Sequence, residues 1–532
     1  MSIVEFLRHP GSLLAAVALA IGFTWFAMGY PAQLSRAPLG PADRLDCVSY
    51  APLATSSVQQ IDSDLARLAR HTGCVRTYST TLDRVLEIAP QLKLQVLQGL
   101  DIGRDPDRNN AEVERAIALE KAHRQSIRAF VVGSEVLSRA DLSASELAAL
   151  IRRVRQATGL PVTYADRWQT WQAASSIAGA VDFVTIHVDL YSADPPVAVS
   201  DAGRATAEAR ERVAARVTGK EIVIGEVGWP SAGRMREWAL PSPANQARVI
   251  QDVIAAGKSG SFRVNILEGQ DQRWRGRLAG TAAAHLGLLD SETGEIKFRW
   301  GGAVSNHPLW FYQGLLGLMQ ALIVFASAFL AARSIGPYGP SHTDWRPVAL
   351  VALGSGLFLG WAIAEIPAQT DSAFEWLYAT LLTGVAVATP AAAAALIVRG
   401  QPLESFAAVL DPEQRRGTHL LMQFVLLLFA LTVLLAIQSA LGLVFDPANR
   451  DFPAAALTGP ALALLVLALS NRPKFRSPSI AEAAAALVLA IAAIFIAFNE
   501  TFWNWQALWF ALALLMLAAA CWQASGARAV QS

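Results

Sequence analysis

With 532 residues, 53% of them apolar and only 16% charged, the chain is too long for one ordinary domain and too apolar for a soluble protein of its size. A formal net charge of +1 removes the electrostatic case for a nucleic-acid partner, and three cysteines exclude a disulfide-rich scaffold. The apolar excess is uneven: residues 44 to about 300 carry most of the charge, one apolar run precedes them and several follow.

The first run, Gly11 to Gly29, holds 19 residues without a charge, enough to cross a bilayer as a helix. A secretory signal has a shorter apolar region of ~7–15 residues and a small-x-small cleavage site, which is missing here. Residues 1–43 are therefore expected to form an uncleaved transmembrane anchor and linker, with the region beyond it translocated.

Residues 44–304 read as a separate globular domain in which strand-like runs alternate with helical patterns. The expected strands are Cys47–Tyr50, Cys74–Tyr78, Lys93–Leu97, Ala129–Gly133, Pro161–Ala165, Val181–His187, Ile222–Glu226 and Phe262–Ile266. Helical patterns fall at Ser57–Thr72, Asn110–Lys121, Ser143–Ala157 and Pro243–Ala256, with Ser143 and Ser242 as cap candidates. Strict alternation implies a parallel sheet, and eight units in this length fit an α/β fold closed as a (β/α)8 TIM barrel. No Gly-x-Gly-x-x-Gly or Walker-type stretch supports a nucleotide site.

Residues 305–532 predict an all-α membrane domain of seven more spans, near 309–332, 347–367, 375–398, 419–443, 453–470, 479–498 and 503–523. With the N-terminus inside, Arg8, Arg333, Arg346, Arg399, Arg415, Arg416, Arg472, Lys474, Arg476 and Arg528 all fall on the cytoplasmic side, against Arg450 in the short outer loops. Eight spans with both ends cytoplasmic follow, as in a multi-pass protein of a bacterial inner membrane. The globular domain would then face the periplasm or the cell exterior. Ionisable residues are nearly absent from these spans, with Glu365 and Glu500 near outer ends, so an energy-coupled transporter has little support.

In a barrel of this kind the C-terminal strand ends face the active-site mouth. Here those ends bring Tyr50, Arg76, Tyr78, Glu135, Asp166, His187, Glu226 and Glu268, a lining that suits a polar uncharged substrate such as a sugar. Glu135 and Glu226 lie 91 residues apart, the length of three strand-helix steps of roughly 30 residues each. Glycoside cleavage needs a carboxylic acid to protonate the leaving oxygen and a carboxylate on the opposite side. At a separation of ~5–5.5 Å the second group attacks directly and configuration is retained. Glu226 is then the nucleophile, kept ionised by Arg76 and Tyr78, and Glu135 the acid/base, its pKa expected to be raised by the neighbouring negative charge.

Val132-Gly-Ser-Glu135 together with Gly225-Glu-Val-Gly-Trp-Pro-Ser231 resembles glycoside hydrolase family 17, the β-1,3-glucanases and glucanosyltransferases of clan A. The resemblance extends to Val48-Ser-Tyr50, Val75-Arg-Thr-Tyr-Ser79, His187, Tyr191, Glu268-Gly-Gln-Asp-Gln-Arg-Trp274 and His285-Leu-Gly-Leu-Leu-Asp290. It implies a retaining enzyme with the acid/base after strand four and the nucleophile after strand seven, the positions of Glu135 and Glu226. Tyr50, Arg76, Tyr78, Ser134, His187, Tyr191, Trp229, Glu268 and Trp274 are the matching candidates for substrate contact. The chain departs from the family at Ser134, where Asn is usual and contacts the hydroxyl beside the anomeric carbon, and at Arg275 in place of Lys. Ser192, Ala193 and Leu286 also stand where bulkier or acidic residues are common, which points to an altered subsite.

Tyr191, Trp229, Trp274 and, less directly, Trp168 offer flat apolar faces for sugar stacking. His187 reads as an orienting hydrogen-bond partner, since no second His or Cys stands at metal-ligand spacing, and no cofactor is implied. Cys47 and Cys74 open adjacent strands; unpaired floor residues are the default reading and a disulfide the alternative. Cys521 falls in the last span. The sequence thus predicts a β-1,3-glucan-active glycosidase or transglycosylase at the periplasmic membrane face, transfer ranking above hydrolysis, with β-glucan and the lipid bilayer as partners. Seven spans exceed what tethering needs, so docking to a glucan synthase or exporter is a further expectation. The alternative is a non-catalytic glucan-binding or export subunit, favoured by Ser134.

Overall fold

The computed structural model describes residues 9–34, 37, 39–40, 43–53, 55–336, 339–370, 372–405, 419–446, 450–470 and 479–525. They form two compact units. One comprises Ala32–Leu278 and Ala282–Val304; the other comprises the residues up to Pro31, Ala279–Thr281 and those from Ser305 onward.

The first unit is the expected closed barrel of eight parallel strands in chain order. The strands are β1 (Cys47–Ser49), β2 (Cys74–Arg76), β3 (Gln95–Leu100), β4 (Ile127–Ser134), β5 (Val162–Arg167), β6 (Val184–His187), β7 (Ile222–Val227) and β8 (Val264–Ile266). Closure comes from the pairs Cys47↔Asn265 and Val48↔Ile266. Their apolar runs do not alternate because both faces are covered: β1, β2, β6 and β8 are buried at every residue. β3 extends to Leu100, beyond the predicted Leu97, because Gln98, Gly99 and Leu100 continue the buried ladder with Phe130, Val131 and Val132.

Each outer helix buries one stripe. In Ala144–Thr158, Leu147, Ile151 and Val154 recur at helical spacing and face the sheet, each worth roughly 1.5–3 kcal/mol of burial. Ser143 and Glu146 close a reciprocal capping box at its start, and Gly159 ends it in the left-handed region. Pro243–Ser259 opens with the Ser242 hydroxyl accepting from the Asn245 amide, as expected for a cap.

At the barrel floor Cys47 and Cys74 are bridged by a disulfide, with Cα atoms 4.4 Å apart. The default reading of two unpaired residues is corrected by strand register. Val48 pairs with Val75, which sets the preceding cysteines side by side on neighbouring strands. The two ends of the unit are also joined, by mutual backbone bonds between Ala32 and Val304 at 2.8 and 3.0 Å.

The second unit contains eight apolar helices among the described residues. Seven are long and apolar enough to cross a membrane: Pro10–Gly29, Trp310–Arg333, Arg346–Gln369, Ala373–Val398, Leu420–Phe445, Ile480–Asn499 and Trp505–Ala524. The eighth, Ala454–Ser470, has 17 residues and falls at the lower limit for a span. Of the basic residues used to orient the chain, Arg8, Arg415, Arg416, Arg472, Lys474, Arg476 and Arg528 lie outside the described residues.

This unit has its polarity turned inward. Leu19, Phe23, Leu434 and Ile491 are exposed, whereas Gln320, Ser355, Thr389 and Thr432 are buried. Such a surface suits lipid and not water. Glu482, in the first turn of Ile480–Asn499, is fully buried and accepts from the hydroxyls of Ser405 and Ser479. The N-terminal helix is an integral member of the bundle. Its Leu13, Val17, Ile21 and Trp25 are buried, and Trp25 meets His307 and Trp361 edge-on at 5.5 and 6.4 Å. Gly317 and Gly356 let two neighbouring helices touch: a Cβ on Gly317 would lie 2.3 Å from the Gly356 carbonyl oxygen.

With Cys521 the one free cysteine, alkylation of the denatured, unreduced chain is expected to label one thiol, and prior reduction three. Three labels without reduction would refute the Cys47–Cys74 bridge.

Candidate active site

Strand register builds the site. Arg167 pairs with His187 and His187 with Glu226, so three chemically active residues stand side by side at the C-terminal ends of β5, β6 and β7. Glu135 follows β4 immediately and adopts φ 56°, a left-handed conformation uncommon for a non-glycine residue. Its amide donates to the Ala165 carbonyl at 2.8 Å. Beyond it, the Leu137 amide donates to the Tyr164 hydroxyl and the Ser138 amide to Asp166 Oδ2, which pins the turn to β5. Asp166, predicted at the mouth, is thus fully buried and committed to holding the loop that carries Glu135.

The His187 ring spans the gap between the two carboxylates. Its Nδ1–H donates to Glu135 Oε1 at 3.1 Å, and its Nε2 lies 3.4 Å from Glu226 Oε1. Beneath it sits the Arg76 guanidinium, only 1% exposed. Arg76 Nη1 is 3.1 Å from Glu226 Oε1, 3.1 Å from His187 Nε2 and 2.9 Å from the Gly225 carbonyl oxygen; Nη2 donates to Ser134 Oγ at 3.3 Å. Gly225 leaves room for this: a Cβ there would lie 2.2 Å from Thr185 Cγ2 and 3.4 Å from Arg76 Nη1. The Tyr78 hydroxyl lies 2.8 Å from Glu226 Oε1 and 2.9 Å from Ser49 Oγ. Its single proton goes to the charged acceptor. Asn265 Nδ2 completes the floor by donating to Ser49 Oγ and the Gly225 carbonyl.

Three groups therefore converge on Oε1 of Glu226, and Oε2 has no hydrogen-bond partner among the described residues. Burial pushes the Glu226 carboxyl up, but His187, Arg76 and the Tyr78 hydrogen bond outweigh it and hold the group below its ordinary range. The expectation of an ionised Glu226 kept so by Arg76 and Tyr78 matches this geometry. Tyr78 itself is pushed up, by burial first and then by the charge of Glu226, and remains a donor.

Glu135 differs from expectation. Its pKa is lowered to about 2, by the His187 hydrogen bond first; burial opposes this, and the charges of His187 and Arg167 add to it. The predicted upward shift assumed that Glu226 was its nearest charge. In the folded chain its Oε1 faces His187 and its Oε2 faces Arg167 Nη2 at 3.3 Å.

Glu268 is a third carboxyl, 1% exposed, with Oε2 3.3 Å from Arg275 Nη2 and Oε1 without a hydrogen-bond partner among the described residues. Burial drives its pKa to about 8; Arg275 opposes this, and the charges of Glu226 and Asp271 reinforce it. Its loop is fixed by Lys297, whose Nζ reaches Asp271 Oδ1 at 2.7 Å and Ser231 Oγ at 2.8 Å.

The remaining candidates divide. Tyr191 and Trp274 are partly exposed; the Tyr191 ring is flanked by Arg236, and Trp274 Nε1 donates to Gln272 Oε1 at 3.0 Å. Trp229 is fully buried, meets Tyr191 edge-on at 5.8 Å and donates to the Leu240 carbonyl, so it backs Tyr191 and offers no face to a sugar. Tyr50 is 1% exposed with its hydroxyl on Asp64 at 3.1 Å, below the mouth. Trp168 packs under Arg212. Among the described residues no cluster of three His, Cys, Asp or Glu could hold a metal ion. Sequence reasoning missed Arg167, Asp189 and Asn265. Arg167 ends a strand beside the recognised Asp166, a position that would have nominated it.

Because Glu268 binds its proton more tightly folded (about 8) than unfolded (4.5), stability falls as pH rises between those values. Glu268→Gln is expected to fold and to flatten the melting temperature between about pH 5 and 8. A variant whose melting curve keeps the wild-type pH slope would remove Glu268 as the cause.

Residues 47–287 match the family described as the BtgE/BtgC glycoside hydrolase domain. The glucan 1,3-beta-glucosidase BGL2 of Candida albicans is 26% identical over 261 residues, 44% of this chain and 84% of that protein. The probable beta-glucosidase btgE of Aspergillus oryzae is 28% identical over 233 residues, 41% of this chain and 38% of that one. A solved structure, the glycoside hydrolase family 17 β-1,3-glucanosyltransferase from Rhizomucor miehei, is similar at 24% identity and TM-score 0.44, covering 48% of this chain and 97% of that chain. The family match begins at β1, ends beyond β8 and takes in both carboxylates, so the barrel is similar to a BtgE/BtgC glycoside hydrolase domain along its whole length.

Proposed function

We propose that the barrel is a retaining enzyme acting on β-1,3-glucan, with Glu226 as nucleophile and Glu135 as acid/base. The observation that carries the reading is the unequal treatment of two carboxylates joined by one imidazole. Glu226 has Oε1 immobilised by Arg76 and Tyr78 and Oε2 open, the arrangement an attacking carboxylate needs. Glu135 is oriented by His187 on the facing strand end. In the first step Glu226 Oε2 bonds to the anomeric carbon as Glu135 protonates the departing oxygen. In the second, Glu135 takes a proton from water or a sugar hydroxyl, which displaces Glu226 with a second inversion. The name of a relative, a glucan 1,3-beta-glucosidase, supports the choice of glucan.

Transfer to a second glucan ranks above hydrolysis, since a polytopic anchor suits glucan biosynthesis better than digestion. On this reading residues 1–43 and 305–532 span a bacterial inner membrane, the catalytic domain is periplasmic, and the bundle docks a glucan synthase or exporter. The seven long apolar helices with lipophilic outer faces support insertion. The competing reading, a barrel that only recognises glucan, draws on Ser134. Its hydroxyl is engaged by Arg76 and is short of the reach of the usual Asn.

Incubating the full chain in detergent with laminari-oligosaccharides separates these readings. Longer or branched products mean transfer, shorter products alone mean hydrolysis, and unchanged substrate means recognition only. Glu226→Gln is expected to cut turnover by at least about a thousandfold. Glu135→Ala should regain activity on an activated aryl glycoside when azide is added, giving a β-glycosyl azide. An active Glu226→Gln protein would sink the nucleophile assignment.

A further inference from the structure

Glu135 has two oxygens and two donors, and the donors are not alike. His187, on Oε1, is 2% exposed and wedged between Arg76 and both carboxylates. Arg167, on Oε2, is 53% exposed, and its other contact is Asp189, with Nε 3.7 Å from Oδ2. Only Arg167 has room to leave. An acid must carry its proton on an oxygen that faces the leaving group. Oε1 is committed to the His187 N–H, so the proton belongs on Oε2, where Arg167 sits.

We propose that Arg167 is a positioning residue for the acid/base: tethered by Asp189, it clamps Oε2 of Glu135, swings off to admit the glycosidic oxygen, and returns once the proton has gone. The inference rests on the acid/base reading of Glu135. In the first step the proton passes from Oε2 to the leaving oxygen, which keeps the electron pair of the broken bond, while Glu226 Oε2 bonds to the anomeric carbon. Glu135 is then a carboxylate, the form the returning guanidinium favours, ready to accept a proton from the incoming hydroxyl.

The charges around Glu135 are those of Arg167 and Asp166 on β5, His187 on β6 with Asp189 just beyond it, Glu226 on β7, and Arg76 on β2. Arg139, on the same turn, donates to the Ser134 carbonyl at 2.7 Å. Asp166 is taken up by Tyr164 and Ser138. Arg76 is directed at Glu226 and Ser134. Among the described residues Arg167 is the one arginine or lysine that forms an ion pair with Glu135, alongside the His187 ring, and the low proton affinity of Glu135 agrees with both contacts.

The test compares wild type, Arg167→Gln and Arg167→Lys as the full chain in detergent. Glu135 is titrated by its infrared carboxyl band, assigned by its loss in Glu135→Gln. Arg167→Gln is expected to move that titration up by about one pH unit, and Arg167→Lys to keep it near wild type. On the alkaline limb, kcat/KM of Arg167→Gln for laminari-oligosaccharides should then rise up to about tenfold. An aryl donor whose nitrophenolate leaves without a proton should gain much less. An unmoved titration, or an equal loss on both donors, overturns the clamp. A wild type that turns over neither donor defeats the enzyme reading instead, and the infrared titration still decides the clamp.

Discussion

The site depends on one buried cation. A guanidinium at 1% exposure is costly unless its hydrogens and charge are met. The two terminal nitrogens of Arg76 are met by a carbonyl on β7, the Glu226 carboxylate, the His187 ring and the Ser134 hydroxyl, while Nε has no hydrogen-bond partner among the described residues; the guanidinium face lies 4.8 Å from the Tyr78 ring. Arg76 reaches from β2 across the interior to β4, β6 and β7, so the orientation of Glu226 is a property of the closed barrel. A change that shifts one of these strands alters what Arg76 can reach, and with it the charge and aim of Glu226.

Three carboxyls share this interior under different conditions. Glu226 is held ionised by positive neighbours, Glu135 is held ionised by a histidine and a solvent-facing arginine, and Glu268 is held protonated by burial. Environments that push neighbouring titratable groups apart are how one site performs acid and base chemistry at one pH. Here the separation puts the tightly bound proton on Glu268. In the acid/base role proposed for it, Glu135 has to acquire its proton through a change in its contacts, which makes its exposed partner the variable element of the site.

The fold was largely legible because eight strand-like apolar runs alternating with helical patterns leave few arrangements other than a barrel. Glu226 was legible through its unusual neighbours, and His187 through its place at a strand end. The direction of the Glu135 shift was not, since it depends first on the His187 ring reaching Glu135 and then on Arg167 lying across the ladder from His187, both matters of register. The same holds for Cys47 and Cys74. Trp229 was misjudged as a stacking surface because sequence distinguishes a buried indole from an exposed one only through its neighbours, here Tyr191 and the Leu240 carbonyl. Arg167 escaped notice because a lone arginine at a strand end resembles an ordinary solvated charge.

The paired backbone bonds between Ala32 and Val304 have a consequence for how the chain is assembled. The helix Pro10–Gly29 belongs to a bundle whose next member in sequence starts at Trp310, so its partners are synthesised only after the whole barrel. Closing an open loop of that length would carry an entropic penalty that grows with its logarithm. Once the barrel is folded and its two ends are tied side by side, the long insertion acts on the bundle as a short turn would. The catalytic domain thus serves, before any chemistry, as the hinge pin that lets the first helix find the rest.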